Sequence, residues 1–318
     1  MKSIALIRLS ALGDTIHALT LVNGIRYGFP DAKVTWILEP LPYEIVKHQP
    51  AVDEFIVFNA RKGLGAWREL RRTLRGRRFD VALLPQVSFK AGLVSLFVRA
   101  DRKIGFDRAR SRELHSLFVN DSIPPRPMAH AQTQFLEFLE YLGVRDYPLD
   151  RDIVFTEDEV HAARAYFAAI NKAVVAFVIA TAHEEKNWPH ESYARAVDGV
   201  AAMGLQPLLV GGPSERDRKI AEAIAAKSTA KPLVALDRPV RHMLLKLRGA
   251  AVVVAPDTGP MHAAVAMNRP TVALYGYSDP RRCGPYERYD DLLINRFPRA
   301  GEDLGPITRE TRPGSMRL

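Results

Sequence analysis

The chain has 318 residues, 25% charged and 47% hydrophobic, the proportions of a globular protein able to bury its own core without a disulfide or metal staple. Its one cysteine, Cys283, excludes an intramolecular disulfide and any cysteine-rich zinc or iron–sulfur centre, and fits a reducing compartment. With 45 Lys and Arg against 36 Asp and Glu the net charge is +9, which calls for an anionic partner: nucleic acid, an anionic membrane face or a phosphorylated substrate.

Taken in order, Ser3–Arg8 reads as a strand, Thr15–Tyr27 as a helix, Lys33–Leu38 and Asp80–Leu84 as strands, and Met128–Leu142 as a long helix. A second set follows with strands at Ala173–Ile179, Pro207–Val210, Val234–Leu236, Ala251–Ala255 and Thr271–Tyr275. Its helices are Ser192–Met203, Arg216–Ala226, His242–Leu247 and Met261–Met267. Strands alternating with helices predict parallel sheets covered by helices, in two Rossmann-like halves. The charged, proline-containing stretch Val144–Ile153 is the expected boundary, giving domains 1–148 and 149–318. Phe297–Leu318, with three prolines and three glycines, is expected to be irregular or mobile. The longest apolar run, Ala173 to Ala180, is far short of the about 18 residues of a membrane span. Arg8 interrupts the N-terminal apolar stretch before a signal-peptide core forms. A cytoplasmic protein is therefore expected.

In doubly wound domains a ligand sits at the carboxyl ends of the strands, so the loops after strands carry the chemistry. The usual nucleotide signatures G-x-x-x-x-G-K-[ST] and G-x-G-x-x-G are missing, as are H-E-x-x-H and G-x-S-x-G. The first loop is Leu9-Ser10-Ala11-Leu12-Gly13-Asp14. Gly13 would allow close backbone approach, and Asp14 is placed at the N-cap of the following helix. Asp14 is either that cap, which spacing alone favours, or a general base. His17, three residues on, reads as a packing or orienting histidine.

Three further loops belong to the second half. Asp257-Thr258-Gly259-Pro260-Met261-His262 opens a helix after an apolar strand. It is a phosphate site built from helix N-terminal amides or a plain Asp/Thr cap. Gly211-Gly212-Pro213-Ser214-Glu215 could offer Glu215 to a ribose diol or simply start a helix. In Thr181-Ala182-His183-Glu184-Glu185-Lys186-Asn187-Trp188-Pro189, Lys186 either neutralises a phosphate or faces water. Along Arg68–Arg78, Trp67, Leu70 and Leu74 recur at helical spacing. Arg68, Arg71, Arg72 and Arg75 then form either a solvated face or a site for an anionic acceptor or membrane. Asp150 and Asp152 lie in the expected boundary and not at a strand end, so no metal is expected.

Together these loops resemble glycosyltransferase family 9, the bacterial lipopolysaccharide heptosyltransferases. The resemblance rests on Arg8-Leu9-Ser10-Ala11-Leu12-Gly13-Asp14-Thr15-Ile16-His17, Lys186-Asn187-Trp188-Pro189, Gly211-Gly212-Pro213, Asp257-Thr258-Gly259-Pro260-Met261-His262 and Tyr275-Gly276, in family order over residues 1 to about 295. It implies a GT-B fold, two Rossmann-like domains facing a central cleft, with the acceptor on the N-terminal domain and the nucleotide sugar on the C-terminal one. It implies inverting, metal-independent transfer of heptose from ADP-heptose, a co-substrate and not a cofactor, to a lipid A-Kdo or heptosylated inner-core lipopolysaccharide acceptor.

By the same resemblance Asp14 is the general base. Lys186, Thr181, Glu215, Asp257, Thr258, Gly259 and His262 are the donor-binding residues, and Ser10, Gly13 and His17 belong to the cleft loop. Lys186 and the amides of Thr258–Met261 would stabilise the charge growing on the leaving diphosphate. Arg68, Arg71, Arg72 and Arg75 would serve the anionic acceptor and hold the protein at the anionic inner membrane. Family members end in a C-terminal helix, whereas Arg296–Leu318 has no helical apolar period. Competing readings are a family member using another nucleotide sugar or acceptor, a non-catalytic nucleotide- or glycan-binding module, and, on charge alone, non-specific attraction to nucleic acid.

Overall fold

The computed structural model describes residues 1–298, 301–312 and 316, in two compact units, Met1–Asp152 and Ile153–Leu318. In the first unit the elements run β1 (Ser3–Ile7), α1 (Leu12–Gly28), β2 (Lys33–Leu38), α2 (Pro40–Val46), β3 (Glu54–Val57), α3 (Leu64–Leu74), β4 (Phe79–Leu83), α4 (Phe89–Ser95), β5 (Ala100–Gly105), β6 (Asp121–Ser122) and α5 (Ala131–Tyr141). The strands form one parallel sheet in the order β3-β2-β1-β4-β5-β6. The direction of winding reverses between β1 and β4, the doubly wound arrangement. Right-handed crossovers then put α1 and α2 on one face and α3 and α4 on the other.

The central strands are apolar throughout because both faces are covered. Ala5, Ile7, Ile37 and Ala82 point to the face where Ala66, Leu70 and Leu74 of α3 meet Ala91 and Val94 of α4. On the other face α1 lies against α5, and Gly24 permits the approach: a Cβ there would stand 2.3 Å from the buried Leu139.

The second unit continues with α6 (Glu157–Ala168), β7 (Val174–Val178), α7 (His190–Ala202), β8 (Gln206–Gly211), α8 (Glu215–Lys227), β9 (Leu233–Leu236), α9 (Val240–Gly249), β10 (Val252–Pro256), α10 (Gly259–Ala266), β11 (Thr271–Tyr275), α11 (Pro280–Cys283) and β12 (Leu293–Asn295). Its parallel sheet has the order β12-β11-β10-β7-β8-β9, the same pattern read from the opposite edge. Phe177, Leu209, Tyr193, Val197 and Ile224 form the core beneath α7 and α8. On α9, the guanidinium of Arg241, 1% exposed, is held by Glu159 of α6 and the Val154 carbonyl, over the ring of Phe155.

The strongly apolar predicted elements all form, Lys33–Leu38 and Thr271–Tyr275 with the expected bounds and the others with one or both ends shifted. Helix α1 starts at Leu12, three residues before the expected Thr15. The missed elements are those whose sequences lack a clean period. Strand β5 is Ala-Asp-Arg-Lys-Ile-Gly and partly exposed, β6 has two residues, and α6 has no buried residue. Helix α6 nevertheless carries a capping box between Thr156 and Glu159, a signal the sequence displays openly. The tail expected to be irregular is without helix among the described residues. Thr311 bridges Ser278, and the Arg312 guanidinium lies over Phe297. Its positions 299, 300, 313–315, 317 and 318 lie outside the described residues. No helix among the described residues is long and apolar enough to cross a membrane.

Candidate functional site

In the first unit the reactive candidate is the turn between β1 and α1. The expectation that Asp14 caps α1 is corrected: Ala11 occupies the cap position and offers no side chain, while Asp14 falls in the first turn. Gly13 likewise belongs to the helix and not to the loop. An acid in the first turn is stabilised by the helix dipole, and Asp14 has a second support that the sequence reading missed. Arg8, the residue that follows β1, is buried and forms an ion pair with the Asp14 carboxylate. Its other terminal nitrogen donates to the Pro85 carbonyl at 2.9 Å, and its guanidinium lies 5.4 Å from the centre of the Phe135 ring.

Burial lowers the Arg8 pKa, an effect opposed by Asp14. Asp14 itself is 39% exposed, so the carboxylate is anchored on one side and open to a substrate on the other. Ser10 is half-buried. His17 is buried, its Nδ1 3.0 Å from the Gln132 side chain and its ring edge-on to His130. Both partners belong to the start of α5, so His17, itself within α1, ties α1 to α5.

In the second unit the loops after β7, β8, β10 and β11 converge by sheet topology, because β7 and β10 are neighbours at the reversal of strand order. Asp257, at the end of β10, is the centre. Lys186 Nζ and the Ser278 hydroxyl each donate to Asp257 Oδ2 at 2.5 Å. His262 Nε2 stands 3.6 Å from Oδ1, and the Tyr275 hydroxyl, which donates to the Cys283 carbonyl, lies 3.5 Å from the same oxygen. Burial by itself would raise the Asp257 pKa, but His262 and the Lys186 charge outweigh it and hold the carboxyl well below the usual carboxylate range. Asp257 is thus an ionised anchor that aims Lys186.

The same setting raises the neighbouring acids. Burial pushes the Cys283 thiol up to about 12, helped by the Asp257 charge, which makes it an inert packing group at neutral pH. Burial and then Asp257 also raise the Tyr275 hydroxyl well above its ordinary value. Ser278, Tyr275 and Cys283 were not singled out as site residues. Tyr275, the last residue of β11, enters the sequence reading only through the Tyr275-Gly276 pair, Ser278 and Cys283 carry no spacing signal, and only the fold brings the three to Asp257.

The other donor-side candidates have definite partners. The Thr181 amide donates to Asn187 Oδ1 at 2.9 Å and its hydroxyl to the His183 carbonyl at 2.5 Å, closing the turn that carries Lys186. Arg216 of α8 donates to the Thr181 carbonyl at 2.9 Å, joining two loops. Glu215 is exposed and pairs with Arg218 on its own helix. The glycines before it serve Asp217. A Cβ on Gly212 would stand 3.1 Å from the Asp217 carboxylate, which accepts the Gly212 amide at 2.7 Å.

At α10 the set of free amides is smaller than expected. Met261 and His262 both donate to the Thr258 carbonyl, and Pro260 has no N–H. Thr258 and Gly259 remain, among the described residues, as the amides of that turn without a partner.

Arg68, Arg71, Arg72 and Arg75 do line one concavity, of ≈ 680 Å³, together with Arg99. It does not adjoin Asp14. Arg75 just precedes β4 and Arg99 just precedes β5, so the concavity opens at the amino ends of the strands. Asp14 follows the carboxyl end of β1, parallel to β4, about 16 Å away along a five-residue strand. The arginines expected to serve the anionic acceptor thus stand at a distance from Asp14 within the unit. Asp150 and Asp152 form a turn, the Asp152 amide donating to Asp150 at 2.9 Å.

Comparison with known proteins identifies the family and the fold. Residues 67–302 match the family model for glycosyltransferase family 9 (heptosyltransferase). The lipopolysaccharide core heptosyltransferase OpsX of Haemophilus influenzae is 28% identical, with 97% of this chain and 89% of that protein covered. Lipopolysaccharide heptosyltransferase 1 of Pseudomonas aeruginosa is 27% identical over 93% and 84%. Among solved structures, a glycosyl transferase family 9 protein from Veillonella parvula superposes with a TM-score of 0.82 at 23% identity, covering 92% of this chain and 86% of that one. Escherichia coli heptosyltransferase WaaC with ADP gives 0.75 at 23% identity over 93% and 92%. The two six-stranded parallel sheets are those of the GT-B fold shared by these neighbours, and the chain belongs to glycosyltransferase family 9, the heptosyltransferases.

Proposed function

We propose that this chain transfers heptose from ADP-heptose to the inner core of lipopolysaccharide by a single displacement that inverts the anomeric centre. Family membership, relatives named for heptosyl transfer to lipopolysaccharide, and a similar fold solved with ADP-2-deoxy-2-fluoro heptose support the donor and acceptor. The observation that carries the chemistry is Lys186, pinned by an ionised, buried Asp257 at the end of β10, beside the amides of Thr258 and Gly259.

In this reading the acceptor hydroxyl oxygen attacks the anomeric carbon. The bond from that carbon to the β-phosphate oxygen breaks, and its electron pair leaves with ADP. The hydroxyl proton passes to Asp14, whose carboxylate Arg8 holds in place and leaves accessible. Negative charge grows on the leaving diphosphate. The Lys186 ammonium and the two amides face that charge, and a preorganised cation in a partly buried site acts strongly there. Lys186, 19% exposed, meets this description without a metal. Thr181 shapes the Lys186 turn, His262 backs Asp257, and Glu215 would exchange Arg218 for the ribose hydroxyls.

The test is acceptor-dependent ADP release from ADP-heptose and a heptose-deficient lipopolysaccharide core. The wild type is expected to release ADP, and Asp14→Asn to bind ADP without releasing it from the sugar. Stronger binding of UDP or GDP than of ADP would overturn the donor assignment, and near-normal release by Asp14→Asn would overturn the base.

A further inference from the structure

The transfer chemistry leaves the tail of the second unit without a purpose, yet its described residues are tied together by one side chain. The Arg312 guanidinium, 13% exposed, donates to the Phe297 carbonyl at 2.8 Å and to the two oxygens of Glu302 at 2.5 and 2.7 Å. Its Nε reaches Glu310 at 3.2 Å, and its central carbon lies 4.5 Å from the centre of the buried Phe297 ring. A segment without helical periodicity has no packed stripe to hold it, and a paired guanidinium fork supplies the hold instead. The clasped tail docks on the turn after β11. The Arg312 amide donates to the Tyr277 carbonyl at 2.8 Å, and Thr311 forms an antiparallel bridge with Ser278. Arg281 of α11 makes a second tie, donating to the Gly305 carbonyl at 2.8 Å.

The two residues that the tail grips also face the Lys186–Asp257 pair. The Ser278 hydroxyl donates at 2.5 Å to Asp257 Oδ2, the oxygen that holds Lys186, and Lys186 Nζ lies 5.7 Å from the centre of the Tyr277 ring. We infer that the tail is a strap of the donor site. Arg312 is its positioning residue: by closing the tail on Tyr277 and Ser278 it fixes Lys186 for the nucleoside diphosphate. The Arg312 charge is itself neutralised by Glu302 and Glu310, so its effect on the donor passes through the turn and not through direct attraction. Backbone hydrogen bonds suit that task, because they set the register of the turn without placing another charge beside Lys186. Every link of this chain of contacts lies within the second unit. The role rests on the ADP-heptose donor proposed above and adds to it a segment that touches neither sugar nor phosphate.

The experiment is calorimetric titration of the full chain with ADP, together with ADP-release kinetics and amide exchange of the ligand-free protein. Arg312→Met keeps an apolar stem over Phe297 and removes the donors. It should weaken ADP binding about tenfold, the scale of one hydrogen bond to a charged group, and lower kcat/KM for the donor similarly. KM for the acceptor should stay within about twofold. A loss of folded protein alone would lower kcat and leave the ADP dissociation constant unchanged. Arg312→Lys keeps a charge for Glu302 and should recover most of the affinity. Arg126→Met opens the exposed pair with Glu140 in the first unit and should change ADP affinity by less than about twofold. In a Lys186→Met background, adding Arg312→Met should weaken ADP by less than about twofold more, because a residue that acts through Lys186 has nothing left to position. Amide exchange over residues 275–283 should be faster in Arg312→Met. Circular dichroism confirms that each variant is folded. Wild-type ADP affinity in Arg312→Met would overturn the strap, as would unaltered exchange over 275–283 or a further loss of about tenfold in the Lys186→Met background. Failure of the wild type to bind ADP would instead overturn the donor reading.

Discussion

Replacing Lys186 by Met tests the electrostatic centre of the second unit. The Lys186 and Asp257 side chains are 19% and 10% exposed and meet at 2.5 Å. Removing one member of a buried pair costs about 3–5 kcal/mol because the other charge stays behind. Here the Ser278 hydroxyl still donates to Asp257 and His262 still faces it, so the expected loss is nearer about 2–3 kcal/mol. That is a large share of the about 5–15 kcal/mol that ordinary domains possess. Urea unfolding followed by tryptophan fluorescence in a Trp36→Phe/Trp67→Phe background reads it locally, because Trp188 packs on Tyr193 with ring centres 5.1 Å apart, two residues from Lys186.

The pH dependence has a definite sign. A carboxyl held below its ordinary range contributes stability that is whole above that range and lost as pH falls below it. Lys186→Met removes part of that contribution, so acid unfolding should begin at higher pH than in the wild type. Lys186→Met/Asp257→Asn removes both charges and should recover stability to within about 1 kcal/mol of the wild type. It should not recover transfer. Wild-type stability in Lys186→Met, or a double variant weaker than the single, would refute the account of Asp257 as an ionised anchor.

Asp14→Asn should reduce turnover about 10²–10⁴-fold with ADP affinity unchanged, read by ADP release and by calorimetric titration; the amide oxygen can still accept from Arg8, so the variant should fold. His115 is buried, and its Nε2 accepts the Phe106 amide at 3.3 Å. Burial lowers its pKa to about 4. The unfolded chain therefore binds the extra proton first, and stability should fall by roughly 3 kcal/mol as pH drops from about 6.5 to 4. His115→Gln keeps an acceptor and should flatten that slope in urea midpoints; an unchanged slope would exclude His115. Arg241→Met should cost about 3 kcal/mol by stranding Glu159 and the Val154 carbonyl, and Glu159→Gln less, measured as unfolding midpoints of the second unit.

Much of this protein is legible in its sequence, for physical reasons. Strands buried on both faces must be apolar throughout, so β1, β2, β7, β10 and β11 announce themselves, and the loops after them are where Asp14, Lys186 and Asp257 are found. The helical period of Ala66, Leu70 and Leu74 likewise puts the arginines of α3 on its outer face. Elements whose residues are half exposed, such as β5, obey no such constraint and were not visible.

Tertiary structure decided what depends on distant residues meeting. That Asp14 is anchored by Arg8 and not spent as a cap follows from α1 starting at Leu12 and from the Pro85 carbonyl across the sheet. That Asp257 is an ionised anchor follows from Lys186, 71 positions earlier, and Ser278, 21 later, arriving at one carboxylate. That the arginines of α3 lie at the far end of the sheet from Asp14 follows from helix and strand running antiparallel in a crossover. Local sequence encodes period and polarity, whereas partner and distance are properties of the packed chain.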